Sequence, residues 1–260
     1  TQRILAHVQD GIGWITFNQP ERRNAMSLDM WTGLGIAAEA FDRDPAVRAV
    51  VLRGAGGKAF VSGADISEFE AHRANATQKK TYDEVAARGH VGLARLAKPL
   101  IAMIEGYCVG GGLAIALVVD IRFATAGSRF AIPAARLGLG YRASGLKILT
   151  DLVGPSHAKE IFFTARHFNA QEAFGMGLVT RVVPDGELDS YVDNYCRMIG
   201  ENAPLTMHAA KRTIEELTRL DGEPDFARLN GLVKQCFDSE DYVEGRTAFM
   251  EKRKPVFKGR

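Results

Sequence analysis

The sequence is poor in the features that mark secreted, membrane or nucleic-acid proteins. Its three cysteines, Cys108, Cys196 and Cys236, form no CxxC pair and leave an odd thiol, which argues against a disulfide framework and fits reduced thiols. The longest apolar run, Leu113–Val119, falls far short of the roughly 20 residues a membrane span needs. Neither sign of charge dominates. The 33 Lys+Arg against 31 Asp+Glu leave +2, without the basic excess that phosphate backbones demand. The terminal EKRKPVFKGR is locally basic and reads as a solvated tail. TQRILAHVQDGIGW lacks the basic-then-apolar pattern of a leader. His157, His167 and His208 stand at no metal-ligand spacing from carboxylates or cysteines. A soluble, cytoplasmic protein is expected, with no metal and with neither nucleic acid nor membrane as partner.

What is present is ordinary globular material: 46% apolar residues, 25% charged and 27 glycines among 260 residues, enough to bury a large core. Runs at Ile4–Gln9 and Ile12–Phe17 flank Asp10-Gly11, a hairpin signal. Ser27 precedes apolar positions at helical spacing to about Phe41. Val47–Leu52, Leu100–Ile104, Ile121–Ala124 and Leu178–Val183 read as strands. Between them, helices are expected near Asp65 and at Thr77–Leu96, Ala143–Val153, Ser156–Thr164 and Ala170–Gly175. Alternating strands and helices predict an α/β fold with mainly parallel pairing, followed by helices from Glu187 onward.

Gly110–Gly112 interrupt two apolar runs in IEGYCVGGGLAIALVVD. Glycine costs about 0.5–1 kcal/mol against alanine inside a helix or strand, so three in succession mark a bend or a close approach to backbone. A strand, a glycine run and a helix aim unpaired N–H groups at an anion. The stretch is no Walker loop, because Gly57-Lys58 is followed by Ala59, and no GxGxxG follows a strand. KAFVSGADISEF repeats the arrangement, with a strand, a glycine turn and a helix start. Two such turns can supply two donors to one oxygen.

GKAFVSGADISEF with PLIAMIEGYCVGGGLAIALVVDIRFAT closely resembles the enoyl-CoA hydratase/isomerase (crotonase) family. The resemblance runs from the PERRNAMS loop through LVTRVVP to AFMEKRKPVFKGR. It implies an α/β spiral of ββα units over residues 1–200, with a helical trimerisation segment over 201–260. It also implies an acyl-CoA substrate, a homotrimer or dimer of trimers, and no cofactor beyond the CoA moiety. By motif position Ala64 and Gly111 are the donors to the thioester oxygen. Arg22, Arg23, Ala25, Ala64, Asp65, Ile66 and Lys252 fall where the family meets CoA, Lys252 and Lys254 from a neighbouring subunit.

The chain departs from the family at both acid/base positions. Its hydratases carry glutamates where this chain has Ala114 and Ala134. Alanine neither gives nor accepts a proton, and such groups typically contribute about 10²–10⁴-fold each, which argues against ordinary hydration or isomerisation. Tyr141, in LGLGYRASG, matches a tyrosine of the family's methylmalonyl-CoA decarboxylase branch, and Arg142 beside it is a second carboxylate partner. Decarboxylation of a malonyl-type CoA needs no base. That branch also carries His at Ala64 and Glu at Ala114, which this chain lacks. Two other readings stay open: a hydratase or isomerase with a substitute base among Tyr82, Glu84 and His90, and a non-catalytic acyl-CoA-binding subunit. Cys108 reads as a small buried residue, and Asp120 as a partner for neighbouring backbone or Arg122.

Overall fold

A computed structural model describes residues 1–65, 68, 76–218 and 222–260. The helix expected near Asp65, and Ile66 with it, fall largely outside those residues. The large sheet begins with the hairpin β1 (Ile4–Gln9) and β2 (Ile12–Phe17), turned at Asp10-Gly11 with both residues at positive φ. Four parallel strands extend it: β3 (Ala49–Gly54), β5 (Leu100–Ile104), β7 (Ile121–Thr125) and β10 (Arg181–Val183), in the order β1-β2-β3-β5-β7-β10. Between them run three strands of a smaller sheet, β4 (Ala59–Val61), β6 (Tyr107–Val109) and β8 (Arg129–Ala131), which β9 (Phe168–Asn169) closes in antiparallel sense.

The path therefore steps from large sheet to small sheet three times in succession, at β3 to β4, β5 to β6 and β7 to β8. This is the expected α/β architecture with parallel pairing, and the small sheet is what the sequence reading missed. Two differences concern strand ends. β3 starts at Ala49 because Val47 N–H closes a turn on the Asp44 carbonyl. β10 starts at Arg181 because Leu178 and Val179 both bond back to the Ala173 carbonyl.

The helices are α1 (Leu28–Arg43), α2 (Ala76–Arg95), α3 (Gly111–Val118), α4 (Ala143–Thr164), α5 (Ala170–Gly175), α6 (Leu188–Gly200), α7 (Pro204–Leu217), α8 (Phe226–Asp238) and α9 (Glu240–Glu251). The two helices expected over Ala143–Thr164 are continuous apart from a kink at Gly154 (φ 76°, ψ 162°) before Pro155. One face of the large sheet buries Ile15, Val50, Leu52, Leu100 and Ala102 with α1, α2 and α3. Its other face buries Trp14, Val51, Ile101 and Phe123 under Leu188, Val192 and Cys196 of α6. Because strand side chains alternate faces, both faces are apolar and both are covered, as parallel strands require.

Arg122 is buried in β7 and its guanidinium donates to the carbonyls of Leu178, Ala116 and Val119. Asp120 instead accepts from Leu100 N–H at 2.7 Å and Lys211 at 2.8 Å. The expected backbone partner is present, and the charged partner is Lys211 rather than Arg122. Cys108 is fully buried, and burial pushes its thiol well above the ordinary range.

Candidate active site

The three glycines do three different things. Gly110 takes φ 54° and ψ −113°, a conformation closed to L side chains, and so turns the chain from β6 into α3. Gly112 lies on Val61, where a Cβ would stand 2.1 Å from the Val61 carbonyl oxygen. Only glycine fits there. Gly111, between them, opens α3 and faces the SGAD turn, with its Cβ direction 3.8 Å from the Ala64 nitrogen.

The SGAD turn is held by hydrogen bonds instead. Met26 N–H donates to the Gly63 carbonyl at 2.8 Å, and the Met26 carbonyl accepts from Asp65 N–H at 3.0 Å. This clamp brackets Ala64, leaving its own N–H out of the pairing. Among the described residues, no backbone bond outside the helices and strands takes up the N–H of Ala64 or Gly111. Asp65 is buried and accepts from Gln19 at 3.0 Å and from Arg22 at 3.0 Å to each oxygen. It latches the SGAD turn to the PERRNAM loop. Asn24, buried at φ 56°, fastens that loop to the Ala55 and Ala59 carbonyls.

Beside the glycine turn lies a cavity of about 340 Å³ lined by Gly110 and Ala114, by Ile132, by Tyr141 and by residues of α2 and α4. Ala87, His90, Val91 and Ala94 contribute a stripe at i, i+3, i+4 and i+7. Ser144, Gly145, Ile148 and Phe162 contribute from α4. Tyr141 packs edge-on to Phe162 at 4.9 Å between ring centroids, and burial raises its phenol pKa above the ordinary value. His90 packs at a tilt against Trp31, 4.7 Å between ring centroids, and burial lowers its imidazole pKa to about 4. At neutral pH the cavity wall therefore carries a neutral imidazole and a protonated phenol. Among the described lining residues there is no Asp, Glu, Lys or Arg.

The expected residues separate cleanly against this geometry. Ala64 and Gly111 are neighbours, and Tyr141 lines the adjoining cavity. Ala114 lines it as well, whereas Ala134 is buried in the short turn Pro133–Leu137 and is not part of the described lining. Arg142 caps the start of α4 and is not part of the described lining. Of the three substitute bases only His90 reaches the cavity. Tyr82 is buried with its hydroxyl bonded to Trp31 and the Met26 carbonyl, and Glu84 lies exposed at 4.0 Å from Lys80.

Around the PERRNAM loop, Arg22 is tied to Asp65, Arg23 lies over the Tyr107 ring at 5.2 Å, and Ala25 is buried. Lys252 ends α9 in a left-handed conformation, and no described contact joins it to this loop. The tail beyond it bonds to Asp241 and Arg48 of the same chain. His157 lies 3.7 Å from Glu160, and His167 packs on Tyr107.

Over residues 7–260 the chain matches the family model described as enoyl-CoA hydratase/isomerase. It belongs to that family. It is 34% identical over 251 residues to a short-chain-enoyl-CoA hydratase of Clostridium acetobutylicum, covering 96% of this chain and 95% of the relative. It is 32% identical over 249 residues to the methylmalonyl-CoA decarboxylase of Escherichia coli, covering 94% of each. Among solved structures, an enoyl-CoA hydratase/carnithine racemase from Magnetospirillum magneticum superposes with a TM-score of 0.93 at 36% identity, over 100% of this chain and 97% of the other. Relatives of similar identity thus carry different reactions, so the choice between them rests on the cavity. No helix among the described residues is long and apolar enough to cross a membrane.

Proposed function

We propose that this chain decarboxylates a malonyl-type CoA thioester, holding the thioester oxygen between the N–H groups of Ala64 and Gly111. The observation that carries the reading is a cavity beside those two donors whose described walls hold a phenol and a neutral imidazole but no carboxylate. Hydration needs a base for water. Decarboxylation needs none, because the bond from the α-carbon to the carboxylate breaks, CO2 leaves, and the electron pair passes to the thioester oxygen as an enolate. Two aimed N–H groups meet the charge that develops there, each worth about 10²–10³ in rate. The enolate then takes a proton at the α-carbon. Tyr141 is the donor, since its raised pKa keeps it protonated at neutral pH.

The CoA end belongs to the PERRNAM side, where Arg22 and Arg23 supply cations to phosphate beside Ala25 and Asp65. The Asp65 carboxylate acts there by fixing Arg22 rather than by touching CoA. Lys252 serves a neighbouring subunit. Exposed Phe249 (82%) and Met250 (79%) on α9 support burial in a homotrimer or dimer of trimers. No cofactor beyond CoA is called for, and a cytoplasmic enzyme fits.

Purified protein is incubated with methylmalonyl-CoA and with crotonyl-CoA, and the products are weighed by mass spectrometry. Loss of CO2, slowed about 10²-fold by Tyr141→Phe, is the expected result. Gain of water on crotonyl-CoA sinks the proposal and favours the second reading, a hydratase or isomerase with His90 as base, which its place in the cavity wall supports. No turnover of either, with retained acyl-CoA binding, favours a non-catalytic subunit.

A further inference from the structure

We infer that Tyr82 is a positioning residue for the thioester-oxygen site: its hydroxyl, aimed by the Trp31 indole, holds the segment that sets the Ala64 N–H. This rests on the reading of Ala64 as a donor, whatever reaction follows at the thioester. Tyr82 is not part of the described cavity lining, so the proposed chemistry leaves it unused. It is nonetheless only 4% exposed. Trp31 Nε1–H donates to its hydroxyl at 3.1 Å, and the hydroxyl donates to the Met26 carbonyl at 3.4 Å. The direction of the relay is fixed by chemistry, because an indole N–H can only donate. The Tyr82 oxygen accepts from Trp31, which turns its own hydrogen toward the Met26 carbonyl.

That choice of partner gives the bond its consequence. Met26 forms a parallel bridge with Ala64. Its N–H donates to the Gly63 carbonyl at 2.8 Å, and its carbonyl accepts from Asp65 N–H at 3.0 Å. Tyr82 occupies the second lone pair of that carbonyl, so the segment facing Ala64 is held by a side chain as well as by backbone. The near end of the relay is constrained too. Trp31 sits in the first turn of α1, and α2 comes close to it at Gly89, where a Cβ would stand 2.9 Å from the Trp31 carbonyl oxygen and 3.0 Å from its Cε3. Tyr82 and Gly89, seven residues apart on α2, thus meet Trp31 at Nε1 and at Cε3, on opposite sides of the ring system. A donor displaced by about 1 Å costs about 10²-fold in rate, so a bond that fixes the donor's backbone acts on catalysis without touching substrate.

The test is infrared difference spectroscopy of butyryl-CoA, isotope-labelled at its carbonyl carbon and bound without reacting to the full chain. Donation from two N–H groups lowers the carbonyl stretching frequency on binding. Tyr82→Phe keeps the ring, removes the hydroxyl and is expected to shrink that downshift. On any thioester the protein turns over, the same variant should lower kcat about ten-fold and leave KM nearly unchanged. Trp31→Phe, which frees the Tyr82 hydroxyl to rotate, should shrink the downshift less. Val85→Ala, on the same helix and packed against the same core, lowers stability without touching the relay and should keep the wild-type downshift. An undiminished downshift in folded Tyr82→Phe overturns the inference, and so does an equal loss in Val85→Ala, which would mark a general effect of loosening α2. Should Tyr82→Phe not fold, Trp31→Phe against Val85→Ala decides by the same comparison. No binding or no downshift in the wild-type protein removes the donor reading itself, a result distinct from a downshift that Tyr82→Phe leaves intact.

Discussion

The two turns that meet at the candidate site are built by opposite means. The Gly110–Gly112 turn is fixed by what is missing: no Cβ at Gly110 or Gly112 leaves one backbone conformation and one helix-to-strand distance. The SGAD turn is fixed by what has been added, a backbone clamp from Met26 and a buried carboxylate tied to Gln19 and Arg22. Steric exclusion tolerates no intermediate, whereas a hydrogen-bonded latch can be loosened by degrees. Substitutions in the first turn should therefore act in an all-or-none way, and those in the second should be graded.

Four measurements sharpen or break that contrast. The largest effect is expected from Gly112→Ala, whose Cβ meets the Val61 carbonyl at 2.1 Å. A loss of more than about 3 kcal/mol is expected in denaturant unfolding, and a midpoint within error of wild type would remove the steric account. Gly111→Pro comes next. Proline is tolerated at the first helical position, so the fold should survive while turnover falls about 10²–10³-fold. Gly111→Ala keeps the N–H and should keep most activity. Equal rates for Gly111→Pro and wild type would take Gly111 out of the mechanism.

Asp65→Asn removes the charge from the latch but keeps its shape. A loss of about 1–3 kcal/mol is expected, with kcat reduced about ten-fold because Ala64 is held less firmly. A larger kcat loss than Gly111→Pro would reverse the ranking of the two turns. The last effect is the smallest at neutral pH and grows only on acidification. The SGAD turn connects through Met26, Tyr82 and Trp31 to His90, whose pKa falls from 6.5 to about 4 on burial. The unfolded chain then binds the proton that the folded chain refuses. Stability from this residue is complete above pH 6.5 and is lost as pH falls through about 4. His90→Phe should flatten unfolding free energy across that window relative to wild type, and parallel pH profiles would dissociate His90 from the turn.

How far the sequence carried the fold depended on element length. Asp10-Gly11 announced the hairpin, and the helical period over Leu28–Phe41 announced α1. The strands of the small sheet, two or three residues each, are too short for a period of two to register. Yet that sheet carries the glycine turn. The site was legible to the same degree. Two glycine-bearing turns suggested a pair of donors, and the choice of Ala64, Gly111 and Tyr141 came from the family resemblance. The Asp65 latch was not, because its partner Arg22 lies 43 positions away and nothing local marks the pair. The α2 stripe at Ala87, His90, Val91 and Ala94 was readable as a period, but a stripe does not say which cavity it faces.

The Met26 clamp also has a bearing on the order in which the chain is made. Met26, Gly63 to Asp65, Gly110 and the Ala131 carbonyl that receives Gly110 N–H all precede Tyr141 in the sequence. The far wall, from Tyr141 to Phe162, is synthesised afterwards. The residues of both turns thus leave the ribosome before those of the wall that encloses the cavity beside them, so the corner can in principle form before its chamber is complete.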